Sequence, residues 1–194
     1  MPTPAKLATD RRVAVLIADG LEEVEALAVV DILFRAGIRA DMLAVGESLQ
    51  VTSSHLISFT CDELLSNVQL SDYELVFLPG GIPGTPNLKA CPAVVSEVER
   101  RGASGQWLAA ICAAPSILAE VGVLQGRRAT ANPGFMDAID EGGATSCEDA
   151  IVVDGHIITS RGMGTAIDLG LQIVRVLLGE DAVEAVKKGI VYQG

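Results

Sequence analysis

Leu108-Ala109-Ala110-Ile111-Cys112-Ala113-Ala114-Pro115 is the stretch whose reading decides the fold. Its first four residues are small or apolar and read as a buried strand. One cysteine, two alanines and a proline follow, and then the apolar run Ile117-Leu118-Ala119 with Val121. Proline is tolerated in the first turn of a helix, where its missing N–H has no intrahelical partner. The stretch is therefore strand, abrupt turn and helix with Cys112 at the apex, the arrangement of a nucleophile elbow. So tight a turn needs small neighbours, and Ala110 and Ala114 stand two residues either side of Cys112. A thiol there faces the positive end of a helix dipole, which favours thiolate. The competing reading is a structural cysteine, since free Cys is among the most buried residue types.

Working outward, Glu74 to Leu78 is a second buried strand, running into Pro79-Gly80-Gly81-Ile82-Pro83-Gly84. Glycines at a strand end let the backbone approach a ligand, and their N–H groups can form an oxyanion hole. No G-K-[ST] follows, so this is not a phosphate-binding P-loop. Val13 to Ala18 is a continuous apolar run that reads as a central parallel strand. In open α/β sheets ligands bind beyond the carboxyl ends of strands, so the loops after Ala18, Leu78 and Ile111 are expected to share one edge.

A helix is expected from Glu22 to Ala36, stopped by Gly37. Glu25 shares a face with Ala28, Val29 and Ile32, at i+3, i+4 and i+7, which points its carboxyl inward. A buried carboxyl tends to keep its proton. Glu22 lies on a similar side, whereas Glu23 reads as a solvated charge at the helix start. Asp31 and Arg35 have the spacing of a surface pair. Further strands are expected over 38–45 and within 49–60, where His55 reads as a surface or structural residue. Helices are expected over 92–101, 165–178 and 181–188. A short strand is expected at 128–131. A hairpin with an Asp154-Gly155 turn is expected over 151–159, with His156 at its tip, remote from the strand ends.

Composition bounds the function. The chain has 194 residues, 49% hydrophobic and 20% charged, which suits one globular domain over 11–194 behind a loose tail at 1–10. A net charge of −11 argues against nucleic acid or an anionic membrane as a partner. Residues 1–10 lack the apolar core of a signal peptide, and no run reaches the roughly eighteen apolar residues of a membrane span. Cys61, Cys91, Cys112 and Cys147 show no C-x-x-C spacing, and with only His55 and His156 available no metal site is expected. So few cysteines suit a reducing, cytoplasmic setting.

Four motifs now stand in one order: Glu22-Glu23-Val24-Glu25, Leu78-Pro79-Gly80-Gly81, Ala109 to Pro115, and Thr159-Ser160-Arg161-Gly162-Met163-Gly164-Thr165. Together they resemble the ThiJ/PfpI superfamily, in its branch of Parkinson disease protein seven, over nearly the whole chain after the tail. The resemblance implies a flavodoxin-like α/β sandwich with a mostly parallel central sheet, acting as a homodimer without a cofactor. It implies that Cys112 is a reactive, easily oxidised thiol and that Glu25 is a protonated acid bonded to it. Backbone N–H groups at Gly80, Gly81 and Ala113 would bind an oxyanion, and Glu22 would assist Glu25.

The resemblance implies three roles. One is glyoxalase- or deglycase-type chemistry on methylglyoxal or early glycation adducts. Another is a redox sensor whose cysteine becomes sulfinate, and the third is a chaperone-like dimer. Two departures bear on turnover. Asn132, in Thr130-Ala131-Asn132-Pro133, replaces a histidine that several relatives carry near the cysteine. An amide hydrogen-bonds but shuttles no proton. Ser54 stands where relatives bring an arginine, so the pocket is expected to be less positive.

Overall fold

The computed structural model describes residue 4 and residues 6–193. Strands β1 (Arg12–Ile17) and β2 (Arg39–Ala44) flank helix α1 (Glu23–Arg35) in sequence. A short hairpin, β3 (Gln50–Thr52) and β4 (Ser58–Thr60), precedes β5 (Glu63–Leu64), β6 (Leu75–Leu78), α2 (Gly84–Lys89) and α3 (Pro92–Ser104). The elbow strand is β7 (Trp107–Ile111), followed by α4 (Pro115–Glu120), β8 (Arg128–Ala129), α5 (Met136–Glu141) and β9 (Thr145–Ser146). The chain continues with β10 (Ile151–Asp154), β11 (Ile157–Ser160), α6 (Ala166–Leu178) and α7 (Glu180–Gly189).

Seven strands form one sheet in the order β10-β11-β7-β6-β1-β2-β5. Every pairing in it is parallel except β10 with β11. The expected mostly parallel sheet is therefore present, and β1, β6 and β7 are neighbours. Val15 pairs with Phe77, and Leu78 with Ala110, so the three strands end at one edge.

The continuous apolar runs have a direct cause, because both faces of the sheet are covered. Val13, Val15 and Ile17 face a core shared with Val29, Ile32, Leu169 and Ile173 of α1 and α6. Ala14 and Leu16 face Val94, Val98, Ile117 and Leu118 of α3 and α4. Helices α1 and α6 approach closely at Gly170, where a Cβ would lie 2.9 Å from that of Ile32. Asp31 and Arg35 form the expected pair at 2.7 Å. Helices α2 and α5 were not expected. Each is six residues long, and α5 buries only Ile139, too little to make a periodic signal. Of the segment expected as a loose tail, residues 1–3 and 5 lie outside the described residues. Within the segment, the N–H of Ala8 donates to the Gly37 carbonyl at 2.9 Å.

Arg101, fully buried on α3, fixes the approach to the two central strands. Its Nε donates to Glu97 at 2.6 Å. Its Nη atoms donate to the carbonyls of Leu70, Tyr73, Glu74 and Trp107 at 2.7–3.1 Å. These carbonyls belong to the segment entering β6 and to the first residue of β7. One guanidinium thus satisfies four backbone acceptors that the core would otherwise leave dry. Arg101→Met keeps the aliphatic length and removes every one of these donors. Urea unfolding is expected to show a loss of about 3–5 kcal/mol. A loss below ~1 kcal/mol would mean that water replaces the guanidinium without penalty.

Candidate active site

Cys112 sits past the end of β7 with φ 62°, a left-handed conformation that a non-glycine residue adopts at a cost. Its own backbone holds it there. The Cys112 N–H donates to the Ser160 carbonyl at 3.0 Å, and its carbonyl accepts the Asn132 N–H at 2.9 Å. The next turn is closed by the Ala114 N–H on the Ile111 carbonyl at 3.0 Å and by the Ser116 hydroxyl on the Ala113 carbonyl at 2.6 Å. Alanines at 113 and 114, both buried, leave no side chain to obstruct the turn.

Glu25 comes from the first turn of α1 and is 1% exposed, as its spacing predicts. Its carboxyl is hydrogen-bonded to the Cys112 thiol. Oε2 also accepts the Gly80 N–H at 2.9 Å, and the Met163 N–H reaches the same carboxyl. Burial pushes its pKa up to about 7 against these three hydrogen bonds, and the Glu22 charge adds to the rise. Burial also pushes the Cys112 thiol up to about 12, with the Glu25 charge as the next cause. The expected thiolate-favouring placement is therefore overridden. Between these values the pair retains one proton, which belongs to the pair and to neither residue alone.

The three expected oxyanion donors divide. Gly81 and Ala113 direct their N–H groups at the Cys112 sulfur. Gly80 has given its N–H to Glu25 and is a scaffold for the acid. It also admits no side chain, since a Cβ would lie 2.7 Å from both Cys112 Cβ and Glu25 Oε2. Gly81 has φ 96° and lies against the entry to α1. The neighbouring Gly80 carbonyl accepts the Glu22 N–H at 3.0 Å.

Asn132 is brought to the site. Its Oδ1 accepts the Gly134 N–H at 3.0 Å, which turns Nδ2 towards Gly162. A carbon placed where Gly162 would carry its Cβ lies 3.6 Å from Asn132 Nδ2, 3.8 Å from Glu25 Oε1 and 3.9 Å from Cys112 Sγ. Gly162 therefore keeps open the space that all three groups face. Sequence reading assigned no role to Gly162 or to the Met163 N–H, although both lie inside a motif it singled out.

Glu22 does not join Cys112; it turns to His55, 3.6 Å from its Nδ1, and acts on Glu25 through its charge. Glu23 corrects its expectation. It is 9% exposed and bonded to His55 Nδ1 at 3.1 Å. The half-buried Ser54 donates its N–H to the Leu21 carbonyl at 2.9 Å. His156, at the β10–β11 turn, is remote from the elbow, as expected.

A doubly covered parallel sheet, with an elbow thiol hydrogen-bonded to a buried carboxyl at the strand ends, defines an α/β protein built around an elbow cysteine. The DJ-1/PfpI family profile matches residues 11–176, and the chain belongs to that family. It is 36% identical over 177 residues to protein DJ-1 homolog A of Arabidopsis thaliana, covering 91% of this chain and 45% of that protein. The chain thus spans less than half the length of that relative. It is 31% identical over 168 residues to the glutathione-independent glyoxalase DJR-1.2 of Caenorhabditis elegans, covering 86% of this chain and 88% of that one. The crystal structure of Drosophila melanogaster DJ-1beta superposes with a TM-score of 0.91 at 32% identity, covering 96% of this chain and all of that chain. The fold is the flavodoxin-like one of these neighbours.

Two predictions follow from the geometry. Gly80→Ala would drive its methyl into both members of the pair and is expected to cost about 1–3 kcal/mol. An unchanged urea midpoint would show that the loop can move aside. Glu25 binds its proton up to about 7 when folded, against an ordinary 4.5. The folded chain therefore holds the extra proton between those values. The stability this contributes is complete below pH 4.5 and is lost as pH rises through 7. Glu25→Gln removes the titration, so wild type should lose up to about 3 kcal/mol relative to the variant between pH 4 and 8. Unfolding curves that keep a constant difference across that range would give Glu25 an ordinary carboxyl.

Proposed function

We propose that this protein protects against reactive carbonyl stress through weak, cofactor-free glyoxalase-type turnover of methylglyoxal, extending to early glycation adducts. The observation that carries the reading is the hydrogen bond between Cys112 and the buried Glu25, beside two N–H groups aimed at the sulfur. The Cys112 sulfur attacks the aldehyde carbon, forming a C–S bond, while the thiol proton passes through Glu25 to the new alkoxide. Glu25, again a carboxylate, removes the hydrogen on that carbon as a proton, giving an enediolate, and returns that proton to the neighbouring carbon, while the hydroxyl proton on the sulfur-bearing carbon passes to the neighbouring oxygen. The product is a lactoyl thioester. Water cleaves its C–S bond, and the sulfur recovers its proton. One water is consumed, the aldehyde carbon is oxidised and the ketone carbon reduced, so no external redox partner is needed. In this reading Asn132 Nδ2, which faces the space before Gly162, donates to a substrate oxygen.

Exposed apolar side chains surround this edge of the sheet. Val24 and Leu27 lie on α1, Leu56 and Ile57 on the β3–β4 turn, and Met163 and Ile167 beyond β11. We read them as the contact of a homodimer, because large exposed apolar patches mark interaction surfaces. All four cysteines are free, which suits a reducing, cytoplasmic setting. Among the described residues no helix is long and apolar enough to cross a membrane.

The alternative is redox sensing without turnover. The Gly81 and Ala113 N–H groups and the Glu25 proton would hold a sulfinate at Cys112 by charge-assisted hydrogen bonds. Lactate formation from methylglyoxal separates the readings. Cys112→Ala is expected to abolish it, and Glu25→Gln to lower kcat about 100-fold with a smaller change in KM. Peroxide treatment that adds two oxygens to Cys112 should end turnover and leave the fold intact. Lactate formation that survives Cys112→Ala would refute the enzymatic reading. Retention of activity by the sulfinate form would refute the cysteine as nucleophile.

A further inference from the structure

Glu22, Glu23 and His55 converge beside the elbow without touching the thiol. His55 Nδ1 lies 3.1 Å from Glu23 Oε2 and 3.6 Å from Glu22 Oε2. One donor atom from each of the three lies within 4.8 Å of the others. Ligands on a tetrahedral cation stand roughly 3.3 Å apart when metal–ligand bonds are about 2.0–2.1 Å. The two separations from His55 bracket that edge.

The convergence is built by the backbone. Consecutive residues of a helix point about 100° apart, which would separate two adjacent carboxylates. Glu22 escapes this because it precedes α1 in an extended conformation, φ −85° and ψ 109°. Its carboxylate can thus turn to the same imidazole as that of Glu23. Glu23 is braced by its own N–H and by Ser53. The Ser53 hydroxyl oxygen accepts the N–H groups of His55 at 3.3 Å and Ile57 at 3.2 Å. The Ser54 N–H ties the turn to the Leu21 carbonyl just before α1. Ligating carboxylates with such outer support are oriented before a metal arrives.

Charge and access agree. Two carboxylates against one imidazole leave net negative charge even when His55 is protonated. In the single chain the carboxylates are 15% and 11% exposed and the His55 side chain 60%, so the site has a floor and a mouth that opens beside Leu56 and Ile57 of the proposed dimer contact. We propose that Glu22, Glu23 and His55 form a site for one borderline divalent cation of the zinc type, with a remaining position open to water. An imidazole among the donors favours such ions over magnesium or calcium, which prefer oxygen donors alone. The absence of C-x-x-C spacing does not bear on this site, whose donors come from the start of α1, the residue before it, and a turn about 32 residues further on.

The test is calorimetric titration of the reduced full chain with zinc chloride, beside magnesium chloride at the same concentration. Wild type should bind one zinc per chain and give no comparable heat with magnesium. His55→Ala should weaken zinc binding by about tenfold or more, and Glu23→Gln likewise. Cys112→Ala should leave zinc binding unchanged. In NMR spectra the His55 ring signals should shift on titration while those of His156 stay in place. His55 is exposed, so its variant should fold, and circular dichroism checks this. Zinc binding that survives His55→Ala overturns the proposal, as does binding that Cys112→Ala abolishes. A wild type that binds no zinc also overturns it and leaves the three side chains as an ion pair alone.

Discussion

The hydrogen bond between Cys112 and the buried carboxyl of Glu25 is the constraint on which the rest of the structure depends. A carboxyl with 1% exposure is costly to ionise, and the half-buried thiol beside it is costly to ionise too. Sharing a proton relieves both, but only if the two groups meet in one orientation. The meeting is arranged from three directions. Helix α1 delivers the acid, the glycine loop after β6 fixes it through the Gly80 N–H, and the loop after β11 fixes it through Met163. The elbow presents the sulfur at positive φ, clamped by Ser160 and Asn132. Each contribution starts at the end of a parallel strand, or one turn beyond it. The order β11-β7-β6-β1 is what brings four separate parts of the chain within a few ångströms.

Two effects compete for the thiol, and magnitudes decide between them. A helix dipole is worth typically 0.3–1 kcal/mol to a charge at its end, and up to about 2 in favourable geometry. Helix α4 is only six residues long, which places it towards the weak end of that range. Burial, and then the charge and hydrogen bond of Glu25, push the thiol the other way, up to about 12. Burial with a neighbouring carboxylate therefore wins. In the proposed reaction the sulfur becomes a nucleophile because a partner takes its proton as the new bond forms. A low intrinsic pKa is not required.

The sheet was legible because both of its faces are covered. Uninterrupted apolar runs such as Val13 to Ala18 leave little choice of element or place. Glu25 was legible for a related reason, since its apolar neighbours at helical spacing fix its direction. Glu23 was not, because its burial comes from the β3–β4 turn folding over the start of α1, a tertiary contact without local periodicity. Gly80 was read as an oxyanion donor, but its N–H goes to Glu25, a recipient that only the meeting of α1 with the loop after β6 supplies. Helices α2 and α5 are too short to show a pattern. Gly162 matters through space it leaves empty, and an absent side chain has no signature beyond the glycine itself.

Asn132 carries the last step. Its Oδ1 is committed to the Gly134 N–H, so the amide cannot rotate freely, and Nδ2 faces the space in front of Gly162. It offers a donor to that space and no proton carrier. Glu25 is then the titratable side chain paired with the sulfur, and in the proposed reaction it must both take and return the proton. Such a relay suits an isomerisation, in which the proton leaves one carbon and arrives at its neighbour, because the acid ends in the state in which it began. It suits thioester hydrolysis less well, since a water must be deprotonated while the departing sulfur is protonated. Formation of the thioester is therefore expected to outpace its hydrolysis, which makes hydrolysis the step that keeps turnover weak.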